Sequence, residues 1–148
     1  MTVSFFGHSD YIPSKKDGEK VHNLLCELVG DAPCEFLLGG YGKFDTFAKK
    51  CCLEYKKTHK NVKLTLVIPY INRKYDEDGY DGTVYPPIEK VPFSVAISRR
   101  NEWIVNNSDH IIAYVYHYGG ARNTLIIAER KKKPIYNLAI DKYPDFTI

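Results

Sequence analysis

The chain has 148 residues, of which 44% are hydrophobic and 14% aromatic, and a formal net charge of +3. This length predicts one domain with a hydrophobic core of its own. The charge is too small to indicate nucleic-acid binding by itself. The first residues contain neither a basic segment nor a long apolar stretch, so we expect neither a signal peptide nor a membrane span.

The first half of the chain alternates strand-like and helix-like segments. Apolar runs predict strands over residues 2–6, 35–38 and 62–68. Between them, apolar residues recur at helical spacing over residues 15–29 and 44–55.

The second half begins with an irregular segment, residues 70–97, which holds several prolines and shows little periodicity. Long segments of this kind are usually functional or disordered, so we predict a lid-like insertion. The periodicity then predicts a helix over 98–107, a central buried strand over 110–116, a helix over 121–133 and a strand over 134–138.

This alternation predicts the α/β class. We expect a Rossmann-like three-layer α/β/α sandwich with a mostly parallel sheet of about five strands, forming a single domain over residues 1–148. Ligands bind such sheets beyond the carboxyl ends of the strands, where the strand order reverses.

The cysteines are four in number and lack the CxxC spacing and the histidine partners of a zinc site. They are Cys26, Cys34, Cys51 and Cys52. We therefore expect reduced thiols, a cytoplasmic location, no bound metal and no cofactor.

Two glycine-rich turns each follow a predicted strand and open a predicted helix. The first holds Gly39, Gly40, Tyr41, Gly42 and Asp45, and the second holds Tyr118, Gly119, Gly120, Arg122, Asn123 and Thr124. Glycine lets the backbone approach a ligand closely, and the helix that follows offers free N–H groups. We expect these residues to contact a phosphate-bearing ligand, with the two tyrosines stacking on a base.

Each turn also has a purely structural interpretation. Asp45 either contacts a ribose hydroxyl or stabilises the start of its own helix, where an acidic group suits the dipole. Likewise, Asn123 or Thr124 either contacts the ligand or caps the second helix.

Other candidates flank the turns. Gly7 and His8 follow the first strand, where the histidine either contacts the ligand or forms a structural hydrogen bond. Arg99 and Arg100 point to different sides of their helix, so at most one faces the cleft. Glu102 is the candidate catalytic carboxylate, and its alternative role is an ion pair with an arginine on the same helix.

The order of these motifs resembles the SLOG superfamily, which is named for the DNA-processing protein DprA and the LOG cytokinin-activating enzymes. The matching segments are 39–45, 99–105, 108–114, 119–125 and 133–138. Within the superfamily, the chain is most similar to bacterial proteins of the DUF1273-like type. The resemblance implies a Rossmann-like sheet and a nucleotide-type ligand.

LOG enzymes cleave the N-glycosidic bond of adenine-type nucleotides with an arginine and a glutamate of a PGGxGTxxE motif. Arg99 or Arg100 matches the arginine, but Ile126 and Ile127 occupy the acidic positions. Isoleucine can neither stabilise an oxocarbenium ion nor activate water, so the resemblance does not extend to LOG hydrolysis.

The function that the sequence favours is binding of a nucleotide or a nucleotide-derived small molecule. One alternative is a nucleotide N-glycosidase or nucleoside deoxyribosyltransferase-like enzyme that uses Glu102 or another acid. A second alternative is a DprA-like module that binds single-stranded DNA or a protein. Homo-oligomerisation is compatible with the sequence, and no membrane partner is expected.

Overall fold

The computed structural model describes all residues, Met1–Ile148. The strands are β1 (Thr2–Gly7), β2 (Cys34–Leu38), β3 (Val62–Val67), β4 (Gly82–Val84), β5 (His110–Tyr114) and β6 (Ile135–Asn137). The helices are α1 (Lys15–Leu28), α2 (Lys43–Thr58), α3 (Ala96–Asn106) and α4 (Gly120–Arg130). None of them combines the length and the apolar character that crossing a bilayer requires.

The strands form one parallel sheet in the order β4-β3-β2-β1-β5-β6. Helices α1 and α2 pack together, as do α3 and α4, and the two pairs belong to separate core clusters. The predicted Rossmann-like three-layer α/β/α sandwich is therefore confirmed. The strand order reverses between β1 and β5, which defines the edge where a ligand is expected.

Two hydrophobic cores explain why the central strands are apolar on both faces. Val3 and Phe5 of β1 belong to the core on the α1/α2 side, whereas Phe6 belongs to the core on the α3/α4 side. Successive side chains of a strand point to opposite faces, so a strand covered by helices on both faces needs apolar residues throughout.

The estimate of about five strands was low by one, because β4 lies inside the irregular segment. Gly82–Val84 pairs in parallel with the end of β3, and Asp81 just before it accepts a hydrogen bond from the N–H of Leu64 at 2.8 Å. Residues 93–95 form a 3₁₀ turn, and α3 begins at Ala96. A three-residue edge strand with exposed residues shows no alternation, so its sequence carried no strand signal.

Several other boundaries also differ from the predictions. The strand predicted to run to residue 116 ends at Tyr114, and the helix predicted over 121–133 is Gly120–Arg130. Beyond Tyr114, the backbone of Val115 bonds to a side chain, Asn137, instead of a neighbouring strand. The chain is thereby released from the sheet two residues earlier than its apolar character indicates.

Candidate functional site

The start of α4 is exposed and lies at the point where the strand order reverses. Gly119 caps the helix with a φ of 143°, a conformation that side chains rarely adopt. The first helical hydrogen bond runs from Asn123 N–H to Gly119 C=O at 3.1 Å. The N–H groups of Gly119, Gly120, Ala121 and Arg122 donate to no acceptor within the protein.

The two glycines at the start of α4 face open space. A Cβ atom placed on Gly119 or on Gly120 would have no neighbour within 4 Å. Unpaired N–H groups at the positive end of a helix dipole attract anions. This arrangement is therefore chemically suited to a phosphate or a carboxylate.

Two long side chains flank the start of α4. Tyr118 is 81% exposed, and the guanidinium carbon of Arg122 lies 4.9 Å from the centroid of its ring. Neither residue is tied to the protein by an ion pair or a side-chain hydrogen bond, so both remain available to a ligand.

Thr124 has a different role from Tyr118 and Arg122. It is buried, its Oγ1 donates to the carbonyl of Gly120 at 3.0 Å, and the same oxygen accepts from Asn101 Nδ2 at 3.3 Å. Its hydroxyl therefore connects α4 to α3. Asn123 is exposed and does not cap the helix.

His8 lies buried beside the start of α4. Its Nε2 accepts the N–H of Tyr116 at 3.0 Å, and its ring stacks on that of His117 with centroids 3.6 Å apart. Burial, followed by the influence of His117, lowers the pKa of His8 below its ordinary value. The neutral ring with its proton on Nδ1 therefore holds the loop between β5 and α4 in place.

The same loop is held by residues that sequence analysis did not select. Asn137 clamps Val115, because its Oδ1 accepts the N–H of Val115 at 3.0 Å and its Nδ2 donates to the carbonyl at 2.8 Å. Tyr116 stacks on Tyr143 with ring centroids 4.0 Å apart. The sequence offers one clue to Asn137, which ends a predicted strand within one of the SLOG-like segments. It offers none to Tyr143, which lies in a tail without periodicity.

The first glycine turn is packed more tightly than the second. A Cβ on Gly40 would lie 2.5 Å from Leu66 Cδ1, and one on Gly42 would lie 2.7 Å from Ser9 Cα. Both residues have positive φ values, 68° and 87°. The N–H of Lys43 donates to the carbonyl of Ser9 at 2.9 Å, so the start of α2 is partly satisfied by the protein.

Gly7 is also required by packing. A Cβ at this position would lie 2.2 Å from Phe44 Cγ, on the first turn of α2. The glycine allows α2 to approach β1 closely, which brings the first glycine turn to the edge of the sheet.

Asp45 stabilises the first glycine turn from within. Its Oδ2 accepts the N–H of Tyr41 at 2.9 Å, while the Tyr41 side chain is 75% exposed. Burial raises the pKa of Asp45 to about 7, although the Tyr41 hydrogen bond and the charge of Arg100 act in the opposite direction. Burial thus favours the protonated form of this carboxyl group at the edge of the sheet.

Arg100 turns inward from α3, whereas its neighbour Arg99 does not. Arg100 is 5% exposed, and its Nη1 donates to the carbonyls of Gly39 at 3.0 Å and Val67 at 2.8 Å. Gly39 directly follows β2, and Val67 is the last residue of β3. Burial lowers the pKa of the guanidinium, and the nearby Asp45 opposes that change.

Glu102 forms a surface ion pair on its own helix. Its Oε2 lies 3.6 Å from Arg99 Nη1, and both side chains are substantially exposed. This arrangement corresponds to the structural alternative that the sequence left open for Glu102.

A groove of about 1190 Å³ lies elsewhere, between α1 and α2. Its lining includes Lys15, Glu19, Lys50 and Glu54, so it carries charges of both signs. No strand end reaches this groove, and we place the candidate site at the sheet edge, where unpaired polar groups converge.

No protein-family model and no curated protein matches the sequence. Among solved structures, the chain is similar to DNA processing protein A from Helicobacter pylori, described for its mode of binding single-stranded DNA. The TM-score is 0.60 and the identity 16%, over 91% of this chain and 63% of that one. The chain thus spans less than two thirds of that protein.

Two further solved structures are similar over nearly the whole chain. The structural genomics target TM1055 has a TM-score of 0.62 and 11% identity, over 99% of this chain and 82% of that one. The molybdenum cofactor carrier protein from Chlamydomonas reinhardtii has a TM-score of 0.57 and 14% identity, over 96% and 81%. At these identities, the similarities establish the Rossmann-like fold of this chain.

Proposed function

We propose that the protein binds a nucleotide or a nucleotide-derived small molecule at the edge between β1 and β5, as a ligand-binding domain of the SLOG type. The observation that carries this proposal is the open start of α4, with its unpaired N–H groups at Gly119–Arg122. The order of the SLOG-like segments and the similarity to Rossmann-like structures support it.

In this proposal a phosphate group accepts hydrogen bonds from the α4 N–H groups, and Arg122 neutralises part of its charge. Tyr118, which already lies beside Arg122, offers an exposed ring on which a base stacks. His8 and Asn137 contribute indirectly, since they fix the loop that positions these groups.

The test is a thermal-shift panel of AMP, cyclic nucleotides, NAD, ADP-ribose and deoxynucleotides. A ligand that binds only the folded state stabilises it by about 2.7 kcal/mol at a hundredfold excess over its Kd. We expect one class of ligand to raise the melting temperature. A flat response across the panel contradicts the proposal.

Gly120→Val locates the site. A Cβ on Gly120 meets no protein atom, so the variant folds, and its added methyl groups crowd the open surface at the start of α4. Gly18→Val is the matched control, because Gly18 is also helical and also has no neighbour within 4 Å of its Cβ position. Loss of ligand binding in Gly120→Val alone supports the assignment, and unchanged binding in that variant contradicts it.

An enzyme that cleaves a nucleotide is the second candidate, and Asp45 is the observation that favours it. A carboxyl group with a pKa of about 7 is suited to general acid–base catalysis near neutral pH. Glu102 is less suited, because it pairs with Arg99 on the helix surface. Release of free base that is lost in Asp45→Asn and retained in Glu102→Gln supports this candidate.

Binding of single-stranded DNA is the third candidate. It is favoured by the similarity to DNA processing protein A from Helicobacter pylori, whose described property is single-stranded DNA binding. Oligonucleotide affinity that falls steeply with salt, in the absence of nucleotide binding, supports this candidate over the first.

A further inference from the structure

His8, the residue after β1, makes three contacts with the loop between β5 and α4. Its Nε2 accepts the N–H of Tyr116 at 3.0 Å. Its ring lies nearly perpendicular to that of Tyr116, with centroids 5.0 Å apart, and stacks on that of His117, with centroids 3.6 Å apart. The histidine is only 5% exposed. The position of this loop therefore depends on one buried, titratable side chain.

The hydrogen bond to Tyr116 exists in only one protonation state of His8. A neutral imidazole has one nitrogen that accepts, whereas both nitrogens of an imidazolium donate. No rotation of a protonated ring can therefore restore an acceptor for the N–H of Tyr116. Protonation would place two donors against each other across a 3.0 Å gap, and it would leave a buried N–H without a partner.

The groups around His8 add to this dependence on charge. They are His117 and Tyr116 of the loop, Asp10 of the turn after β1 and, behind Tyr116, the stacked ring of Tyr143. Two charged imidazoles stacked 3.6 Å apart would repel each other strongly. Burial and His117 lower the pKa of His8, and Asp10 only partly opposes them. The closed loop thus favours the neutral ring.

The residue before Tyr116 is held by a group that does not titrate. Val115 exchanges two hydrogen bonds with the amide of Asn137, at 3.0 Å and 2.8 Å. These bonds are unaffected by protonation of His8. An opening of the loop caused by His8 should therefore begin at Tyr116 and leave Val115 in place.

We propose that His8 is a pH-sensitive switch, which holds residues 116–119 in place when its ring is neutral and releases them when its ring is protonated. Histidine ordinarily changes its charge between pH 5 and pH 8, so the switch operates in that range. Because Gly119 caps α4, release of the loop also frees the start of that helix. The switch is a property of the loop itself and requires no bound ligand.

Amide hydrogen exchange of the ¹⁵N-labelled full chain at pH 7 and pH 5 tests the proposal. Each rate is divided by the intrinsic rate at that pH to give a protection factor. We expect the protection factor of the Tyr116 N–H to fall by up to about 25-fold at pH 5. That ratio corresponds to a histidine with an ordinary pKa of about 6.5 in the open loop and a neutral ring in the closed loop. The protection factor of the Val115 N–H should stay the same.

A variant identifies the group that titrates. In His8→Gln the amide oxygen can replace Nε2 as the acceptor for Tyr116 but binds no proton in this pH range. We expect its Tyr116 protection factor to be the same at pH 5 and pH 7. His22→Gln is the matched control, because His22 is an exposed histidine of α1. This variant should keep the pH dependence of the wild type.

The outcomes separate the switch from the proposed function. Protection of Tyr116 that is equal at both pH values refutes the switch, as does an equal loss of protection at Val115. A pH-dependent loss that persists in a folded His8→Gln protein also refutes it. The comparison of Tyr116 with Val115 in the wild type needs no variant, so the test stands even if His8→Gln does not fold. A local loss at Tyr116 in a protein that binds no nucleotide supports the switch while the proposed function fails.

Discussion

Asn in place of Asp45 should make the protein more stable at neutral and alkaline pH. Asp45 is the carboxyl group whose pKa is raised by burial, from an ordinary 3.8 to about 7. The folded state therefore binds a proton at pH values where the unfolded chain has released it. Stability from this group is greatest below pH 4, declines as the pH rises towards 7, and stays low above it.

The size of the effect follows from the same two values. The difference between 3.8 and about 7 corresponds to roughly 4 kcal/mol of unfolding free energy lost between acid and alkaline pH. Asparagine keeps an oxygen that accepts the N–H of Tyr41 but carries no charge. We expect Asp45→Asn to match the wild type near pH 4 and to exceed its stability by up to roughly 4 kcal/mol at pH 8.

Urea denaturation of both proteins at intervals from pH 4 to pH 8, at constant ionic strength, measures this difference. Glu102→Gln is the control, since its exposed ion pair contributes at most about 1 kcal/mol. A variant that is less stable than the wild type at pH 8 would refute the reasoning. That result would mean that the ionised carboxylate is stabilised by Arg100 more than burial penalises it.

Two further predictions concern the framework of the site. Gly7→Ala introduces a Cβ only 2.2 Å from Phe44 Cγ and should destabilise the fold by about 1–3 kcal/mol in urea, whereas Gly82→Ala, which meets nothing within 4 Å, should not. Equal stability of the two variants would contradict the close packing of α2 on β1. Asn137→Ala removes both hydrogen bonds to Val115 and should cost about 1–3 kcal/mol together with nucleotide affinity, as measured by denaturation and calorimetry. Unchanged affinity in a folded Asn137→Ala protein would show that this clamp does not position the α4 loop.

The layered fold was predictable because its signals are local. Apolar runs of five or six residues alternate with helical periodicity, and each central strand is covered on both faces. The short strand β4 was not predictable, because Gly82–Val84 is defined by pairing with β3 and not by its own composition.

The candidate site was predictable only in outline. Glycines after strands are visible in the sequence, but their roles differ: Gly119 and Gly120 face open space, whereas Gly7 and Gly42 make room for other parts of the chain. This distinction depends on which residues approach from distant segments. The contact between Arg100 and the carbonyl of Val67, across 33 positions, is of the same kind.

The orphaned hydroxyl of Tyr75 shows the same limit more clearly. Nothing in the sequence separates this tyrosine from Tyr70 or Tyr80 in the same segment. Only the fold buries its hydroxyl and leaves it without a partner.

The central claim is that a phosphate group sits on the backbone N–H groups at the start of α4. Amide chemical shifts of the ¹⁵N-labelled protein, followed during a titration with AMP, test it most directly. We predict that the largest changes occur at Gly119, Gly120, Ala121 and Arg122, since their N–H groups gain an acceptor. Asp17 at the start of α1 should stay unchanged, because its N–H already donates to the side chain of Ser14. Changes confined to the groove between α1 and α2, or an absence of changes at saturating AMP, would contradict the account.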